Sequence, residues 1–166
     1  MFAIETIVKL IILMLPLGTF ASPVQITSDA LEIQTEGSNI HMHFSHNAHV
    51  DGDKFSLKGD HIQVTIINGS QQMPSLSSVK EIHAVENATF EWVSYVGKAD
   101  RIGVYPSRNF IMLEGNAEIR DEGSRTMFGK TLTLDLKNKQ IKSEGSELKC
   151  PIDDISKFEQ NNMLIK

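Results

Sequence analysis

The chain has 166 residues, 40% apolar and 22% charged, with 16 Lys and Arg against 21 Asp and Glu for a net charge of −5. That balance is neither disordered nor fibrous, and a mildly acidic chain without basic clusters is a poor partner for nucleic acid or an anionic membrane surface. The single cysteine, Cys150, excludes an intramolecular disulfide and a multi-cysteine zinc cluster.

Residues 1–21 read as a removable export signal. An apolar run from Leu10 to Leu17 is followed by Gly18, Thr19, Phe20 and Ala21, with Thr19 and Ala21 small enough for a cleavage site. The stretch contains a proline and falls short of the roughly 20 residues that a spanning helix needs. Cys150 lies too far away to be a lipoprotein cysteine. The expected layout is a signal peptide at 1–21, one β domain at 22–149 and a tail at 150–166.

Beyond the leader, apolar residues recur with period two. Ile40, Met42 and Phe44 alternate with His41 and His43. Ile62, Val64 and Ile66 follow the same rule, then Phe90 and Trp92, Ile102 and Val104, and finally Leu132, Leu134 and Leu136. Each such strand buries one face and wets the other, as antiparallel sheets allow. Gly37, Gly52, Gly59, Gly123 and Gly129 punctuate the run as turn signals. Many short strands between turns predict an all-β sandwich, roll or barrel. A polar stretch from Asn68 to Ser78 reads as a surface loop. Asn68-Gly69-Ser70 and Asn87-Ala88-Thr89 fit a glycosylation sequon, to which no function is attached. After Pro151 the alternation fades into a tail or short helix.

The chain also repeats itself. Asp29-Ala30-Leu31 matches Asp100-Arg101-Ile102, Asn47-Ala48 matches Asn116-Ala117, and Gly59-Asp60-His61-Ile62 matches Gly129-Lys130-Thr131-Leu132. Three matches in order at a nearly constant offset predict two copies of a multi-strand unit. A fainter echo of Asp29-Ala30-Leu31 in Asp60-His61-Ile62 divides each unit again.

Catalytic patterns are missing. The sequence has no G-x-S-x-G elbow, H-E-x-x-H helix, P-loop or dinucleotide fingerprint, and no enzyme is expected. The one cluster worth weighing is His41, His43, His46 and His49, with His61 and His83 further on. His41 and His43 share a strand face and could both reach a metal, as in a cupin-like enzyme. The cupin pattern wants a glutamate soon after, where this chain has Asn47 and Ala48, so solvated outer-face histidines are the expectation. No cofactor is implied.

What remains is the apolar face. Ile33, Met42, Phe44, Ile62, Val64, Phe90, Trp92, Ile102, Val104, Ile119, Leu132 and Leu134 are expected to converge on one interior. That interior is either a filled core or an incompletely closed trough for acyl chains.

The order and spacing of Asp29-Ala30-Leu31, Gly115-Asn116-Ala117 and Gly129-Lys130-Thr131-Leu132, after a leader and the segment from Pro23 to Asp29, resemble the OstA-like fold family over residues 23–145. Ser45-His46-Asn47 stands where a Gly-Asn step is usual. Within that family the arrangement is similar to periplasmic lipopolysaccharide-transport bridge proteins. The resemblance implies an antiparallel β-jellyroll, slightly twisted, open-ended and built of two internal repeats. It implies a lipopolysaccharide carrier in the periplasm that joins head to tail. An inner-membrane relay protein would meet its N-terminal edge and an outer-membrane translocon its C-terminal edge. Strands at 23–28, and near 139–143 and 147–149, are the expected edges. Expected acyl contacts are Val24, Ile33, Phe44, Phe90, Trp92, Val104 and Leu134. A membrane-anchored relay of the same fold is the nearest alternative.

Overall fold

A computed structural model describes residues 12–14, 23–52, 54–67, 79–123, 125–145 and 147–149. The leader outside 12–14, the loop at 68–78, Cys150 and the tail lie outside these residues. The strands are β1 (Ile12–Met14), β2 (Pro23–Thr27), β3 (Ala30–Glu36), β4 (Asn39–Gly52), β5 (Phe55–Ile67) and β6 (Val79–Trp92). They continue with β7 (Tyr95–Tyr105), β8 (Phe110–Arg120), β9 (Thr126–Asp135), β10 (Gln140–Glu144) and β11 (Glu147–Lys149). All belong to one 11-stranded sheet in the order β1-β2-β4-β5-β6-β7-β8-β9-β10, with β3 also on β4 and β11 also on β9. Every pairing is antiparallel. The fold is an all-β, antiparallel jellyroll.

The inner strands run 10 to 14 residues, about twice the usual length. Each is bent midway. Ladder registers slip between Ser45 and Ala48, Val85 and Ala88, and Glu114 and Ala117. At these slips two successive residues enter the left-handed region: His46 and Asn47 (φ 61° and 53°), Glu86 and Asn87 (60° and 55°), Gly115 and Asn116 (74° and 47°). A bulge of this kind adds residues to one strand and sharpens its bend and twist. His46 therefore completes the same step as Gly115 without a glycine.

Aligned bulges crease the whole sheet. One half-sheet carries β3, β10 and residues 39–45, 61–67, 79–85, 101–114 and 131–135. The other carries β2, β11 and residues 48–52, 54–58, 88–98, 117–123 and 125–129. On the inner face of the crease Ala48 lies opposite Gly59, Ala88 opposite Ala99, and Ala117 opposite Gly129. Only small residues fit there. A Cβ on Gly129 would come within 2.8 Å of Leu132, and one on Gly59 within 3.1 Å of the Val85 carbonyl. Gly59 and Gly129, expected to mark turns, thus sit in mid-strand.

The two half-sheets cover each other. Val50, Leu57, Val64, Ile66, Ile102, Ile111, Leu113, Leu132 and Leu134 are fully buried on one face of a single sheet. A face can be buried so completely only if another layer lies on it, and here that layer is the opposite half of the same strands. A direct tie crosses the gap at the C-terminal end, where Tyr95 donates its hydroxyl hydrogen to the Lys139 carbonyl at 3.4 Å.

The outer face of the crease carries a second repeated feature. Asn47 Nδ2 donates to Asp29 Oδ2 (2.9 Å), Asn87 Nδ2 to Asp60 Oδ2 (2.8 Å), and Asn116 Nδ2 to both carboxylate oxygens of Asp100 (2.9 and 3.2 Å). One Asp–Asn staple thus bridges each of three successive strand pairs. The two sequence repeats resolve into four hairpin-like units, with Asp29, Asp60, Asp100 and Lys130 in equivalent places. The apparent sequon at Asn87 is the middle copy of the bulge.

Candidate functional site

The residues expected to touch acyl chains occupy both half-sheets. Phe44, Val104 and Leu134 project inward from one, and Val24, Phe90 and Trp92 from the other, all buried. Ile33 departs from the expected interior position: it is 56% exposed. Its register partner is Met42, which is buried on the inner face. Ile33 therefore shares that face but stands on the edge strand β3, where no further strand covers it among the described residues.

Among the described residues, large apolar side chains occupy the interior. Phe44, Leu57, Phe90, Ile102, Leu113 and Leu132 are among the largest of its fully buried groups. Trp92 is 6% exposed, and its indole Nε1 has no hydrogen-bond partner among the described residues. Its ring stacks on Tyr95 with centroids 5.9 Å apart.

At the C-terminal end the two half-sheets part. A depression of about 270 Å³ opens between them, lined by Tyr95, Ile119, Met127 and Ile141, with Asp121, Arg125 and Lys139 at its rim. Tyr95, Met127 and Ile141 are partly buried and pack against the core, so its floor is continuous with the interior. Asp121 and Arg125 form an ion pair at 2.6 Å. Partial burial works against the charged form of Asp121, but the hydrogen bonds from Arg125 prevail and hold its carboxyl below the ordinary value. Alternation alone did not single out Tyr95, Met127 or Ile141. The missing information was which strands end the sheet.

The histidine face lies on the outside, as expected. His43, Ser45, His61, Gln63, His83 and Arg101 line a depression of about 360 Å³ there. The Ser45 hydroxyl and His61 Nδ1 share a hydrogen bond of 3.2 Å, and His41 Nδ1 lies 3.3 Å from the Thr65 hydroxyl. The Arg101 guanidinium donates to His83 Nδ1 at 3.2 Å, while His83 Nε2 faces Glu81 at 3.5 Å. Burial, then the Arg101 charge, pushes the His83 pKa below the usual imidazole value. Among the described residues no three His, Cys, Asp or Glu side chains gather as metal ligands. His41, His49, His61 and His83 are engaged by hydroxyl, guanidinium or carboxylate neighbours.

Residues 25–140 match the family described as LptA/(LptD N-terminal domain) LPS transport protein. The chain belongs to that family. The match spans both half-sheets, from β2 to the start of β10, and includes all three staples. A solved structure agrees with the fold: LptH, described as the LptA homologous periplasmic component of the conserved lipopolysaccharide transport device from Pseudomonas aeruginosa. It superimposes with a TM-score of 0.64 at 13% identity, covering 78% of this chain and 95% of that one. By sequence alone, no curated protein matches. Among the described residues no helix is long and apolar enough to cross a membrane.

Proposed function

We propose that this protein is a periplasmic lipopolysaccharide carrier that shelters acyl chains between its half-sheets and links to its neighbours by its edge strands. Family membership supports the transport role. The observation that carries the mechanism is the apolar inner face, which runs from Ile33 on one edge to Ile141 on the other and, among the described residues, has no further strand over either of them.

Burying a methylene is worth about 0.8 kcal/mol, so leaving a 14-carbon chain in water costs on the order of 10 kcal/mol. A multi-acyl lipid crosses an aqueous compartment only if shielded. Because the interior is packed by its own side chains, loading requires the half-sheets to part, with acyl chains replacing contacts between Phe44, Val104 and Leu134 on one side and Val24, Phe90 and Trp92 on the other. An exchange of one apolar contact for another is nearly isoenergetic. Each handover then needs little driving force, and the carrier has no reaction to catalyse.

The strand edges supply the linkage. β2 with β3 forms the N-terminal edge and β10 with β11 the C-terminal edge. An unpaired edge accepts another strand, so the N-terminal edge suits an inner-membrane relay protein, the C-terminal edge an outer-membrane translocon, and either edge a second copy. Ile12–Met14 runs beside β2, so cleavage after Ala21 would free that edge. A leader found intact on the mature protein would favour the anchored-relay reading.

Photo-crosslinking amino acids placed at Ile33, Phe90 and Ile141 in living cells test the carrier reading. Lipopolysaccharide adducts are expected from these three positions and not from Gln63 on the outer face. Adducts absent from all three, or equally strong from Gln63, would refute it.

A further inference from the structure

We infer that the indole N–H of Trp92 donates a hydrogen bond to the ester or amide carbonyl at the root of a bound acyl chain. This rests on the carrier reading above and names a polar subsite within that site.

Trp92 is the last residue of β6 and belongs to the core, at 6% exposure. An indole N–H is a donor only and has no other role to fall back on. Among the described residues, Trp92 Nε1 is the one buried side-chain nitrogen or oxygen left without a partner. Buried polar groups are nearly always paired, because an unmade bond keeps the full penalty of taking the donor out of water. Apolar neighbours cannot offset that penalty. An acceptor carried in by a ligand can.

The indole stands where the half-sheets part. Phe55 on β5 and Tyr95 on β7 are the register partners of Trp92. The Tyr95 ring stacks on the indole, 5.9 Å between centroids and 12° from parallel, and also lines the depression of about 270 Å³. Trp92 thus lies one ring behind the floor of that depression. The turn that carries it is fixed: Val93 takes a left-handed φ of 52°, costly for a β-branched residue, and donates its N–H to the Lys54 carbonyl at 3.1 Å. Inward from Trp92, the same face continues through buried Phe90 to Ala88 at the crease. The donor is therefore at the outer end of an apolar surface.

These surroundings select a neutral acceptor. A phosphate or carboxylate among Phe55, Phe90 and Tyr95 would be a buried charge, whose desolvation costs far more than one hydrogen bond offsets. A bare hydrocarbon brings no acceptor at all. The carbonyl of an ester or amide is uncharged and stands at the junction of tail and head group, which is the place of Trp92 between the interior and the opening. Held there, the carbonyl sets how deep each chain enters. Trp92 then distinguishes an acylated amphiphile from one whose tail is attached without a carbonyl. The effect is one of recognition, with no bond made or broken in the lipid.

Two nonionic detergents with disaccharide heads and tails of similar length test the donor on the purified protein, below their micellar concentrations. Sucrose monolaurate is joined through an ester, and dodecyl maltoside has no carbonyl. Trp92 is the single tryptophan of the chain, so one indole peak appears in a proton–nitrogen correlation NMR spectrum, and replacing every tryptophan alters this position alone. The peak should move downfield with sucrose monolaurate and far less with dodecyl maltoside. Replacing Trp92 by benzothienylalanine, which puts sulfur where the N–H was, should lower the calorimetric affinity for the ester roughly ten-fold and leave that for the maltoside unchanged. Without ligand, the same variant should unfold at no lower urea concentration than the parent, since an unpaired buried donor is gone. An indole that merely packs would not move the ratio of the two affinities. Equal peak shifts with both detergents, or a ratio that survives the replacement, would overturn the donor and leave the carrier standing. Binding of neither detergent would also overturn the donor, and failure to take up lipopolysaccharide as well would overturn the carrier.

Discussion

Asp100 shows how much a single side chain is asked to do. Both its oxygens accept from Asn116, and the bulge residue Gly115 passes so close that an added Cβ would collide with the Asp100 carboxylate. At φ 74° a side chain is also strained on backbone grounds alone. Gly115→Ala should therefore cost about 1–2 kcal/mol in urea unfolding, and adding Asp100→Ala should return part of it by removing the collision. Asn116→Ala should cost about 1 kcal/mol, the usual net worth of such a hydrogen bond. Because both groups belong to one staple, the Asp100→Ala/Asn116→Ala pair should cost less than the sum of the two single changes. The first bulge, with His46 in Gly115's place, shows that the backbone step does not demand glycine. Gly115 is constrained by its neighbour.

Among the elements, the crease was the hardest to read from sequence. A glycine amid alternating residues suggests a turn, and Gly59 and Gly129 carry that signal, yet both lie mid-strand where the half-sheets converge. Their cross-strand partners Ala48 and Ala117 are small for the same reason. Ala88→Leu, which forces bulk into that crease beside Ala99, should destabilise the fold by about 1–3 kcal/mol as measured by denaturant midpoint. The histidine face makes its own prediction. His83 and His49 both have pKa values lowered, first by burial and then by Arg101 and Lys58 respectively. Their folded forms bind a proton less readily than the unfolded chain, so stability is greatest above the unfolded imidazole value and declines as pH falls past it toward the folded values. Unfolding at about pH 7.5 and about pH 5.5 should show that loss, and His83→Gln should reduce it.

At the scale of the molecule, one long sheet folded on itself leaves two free ends, and both the proposed transport and the proposed assembly use them. Purified protein should form linear oligomers as concentration rises, detectable by sedimentation, and proline at Gln34, on the exposed edge of β3, should shorten them without unfolding the core. Strict monomers at high concentration would remove the linkage from the proposal. The inner-face residues divide by position. Phe44, Phe90, Val104 and Leu134 are central, whereas Ile33 belongs to the rim, where an incoming chain or a neighbouring copy first meets apolar surface.

Alternation by itself determined the all-β class and the face each strand buries, because period-two patterning is a local property of a pleated backbone. The sequence also revealed the repeat, since Asp29 and Asn47 recur as Asp100 and Asn116 at a nearly constant offset. Tertiary structure alone decided that these residues are partners, that Asn87 belongs with them, and that the halves of each strand face one another. Ile33 and Met42 obey the same alternation, yet one is open and the other buried. The difference lies in what covers each of them, and cover is supplied by residues far away in the chain.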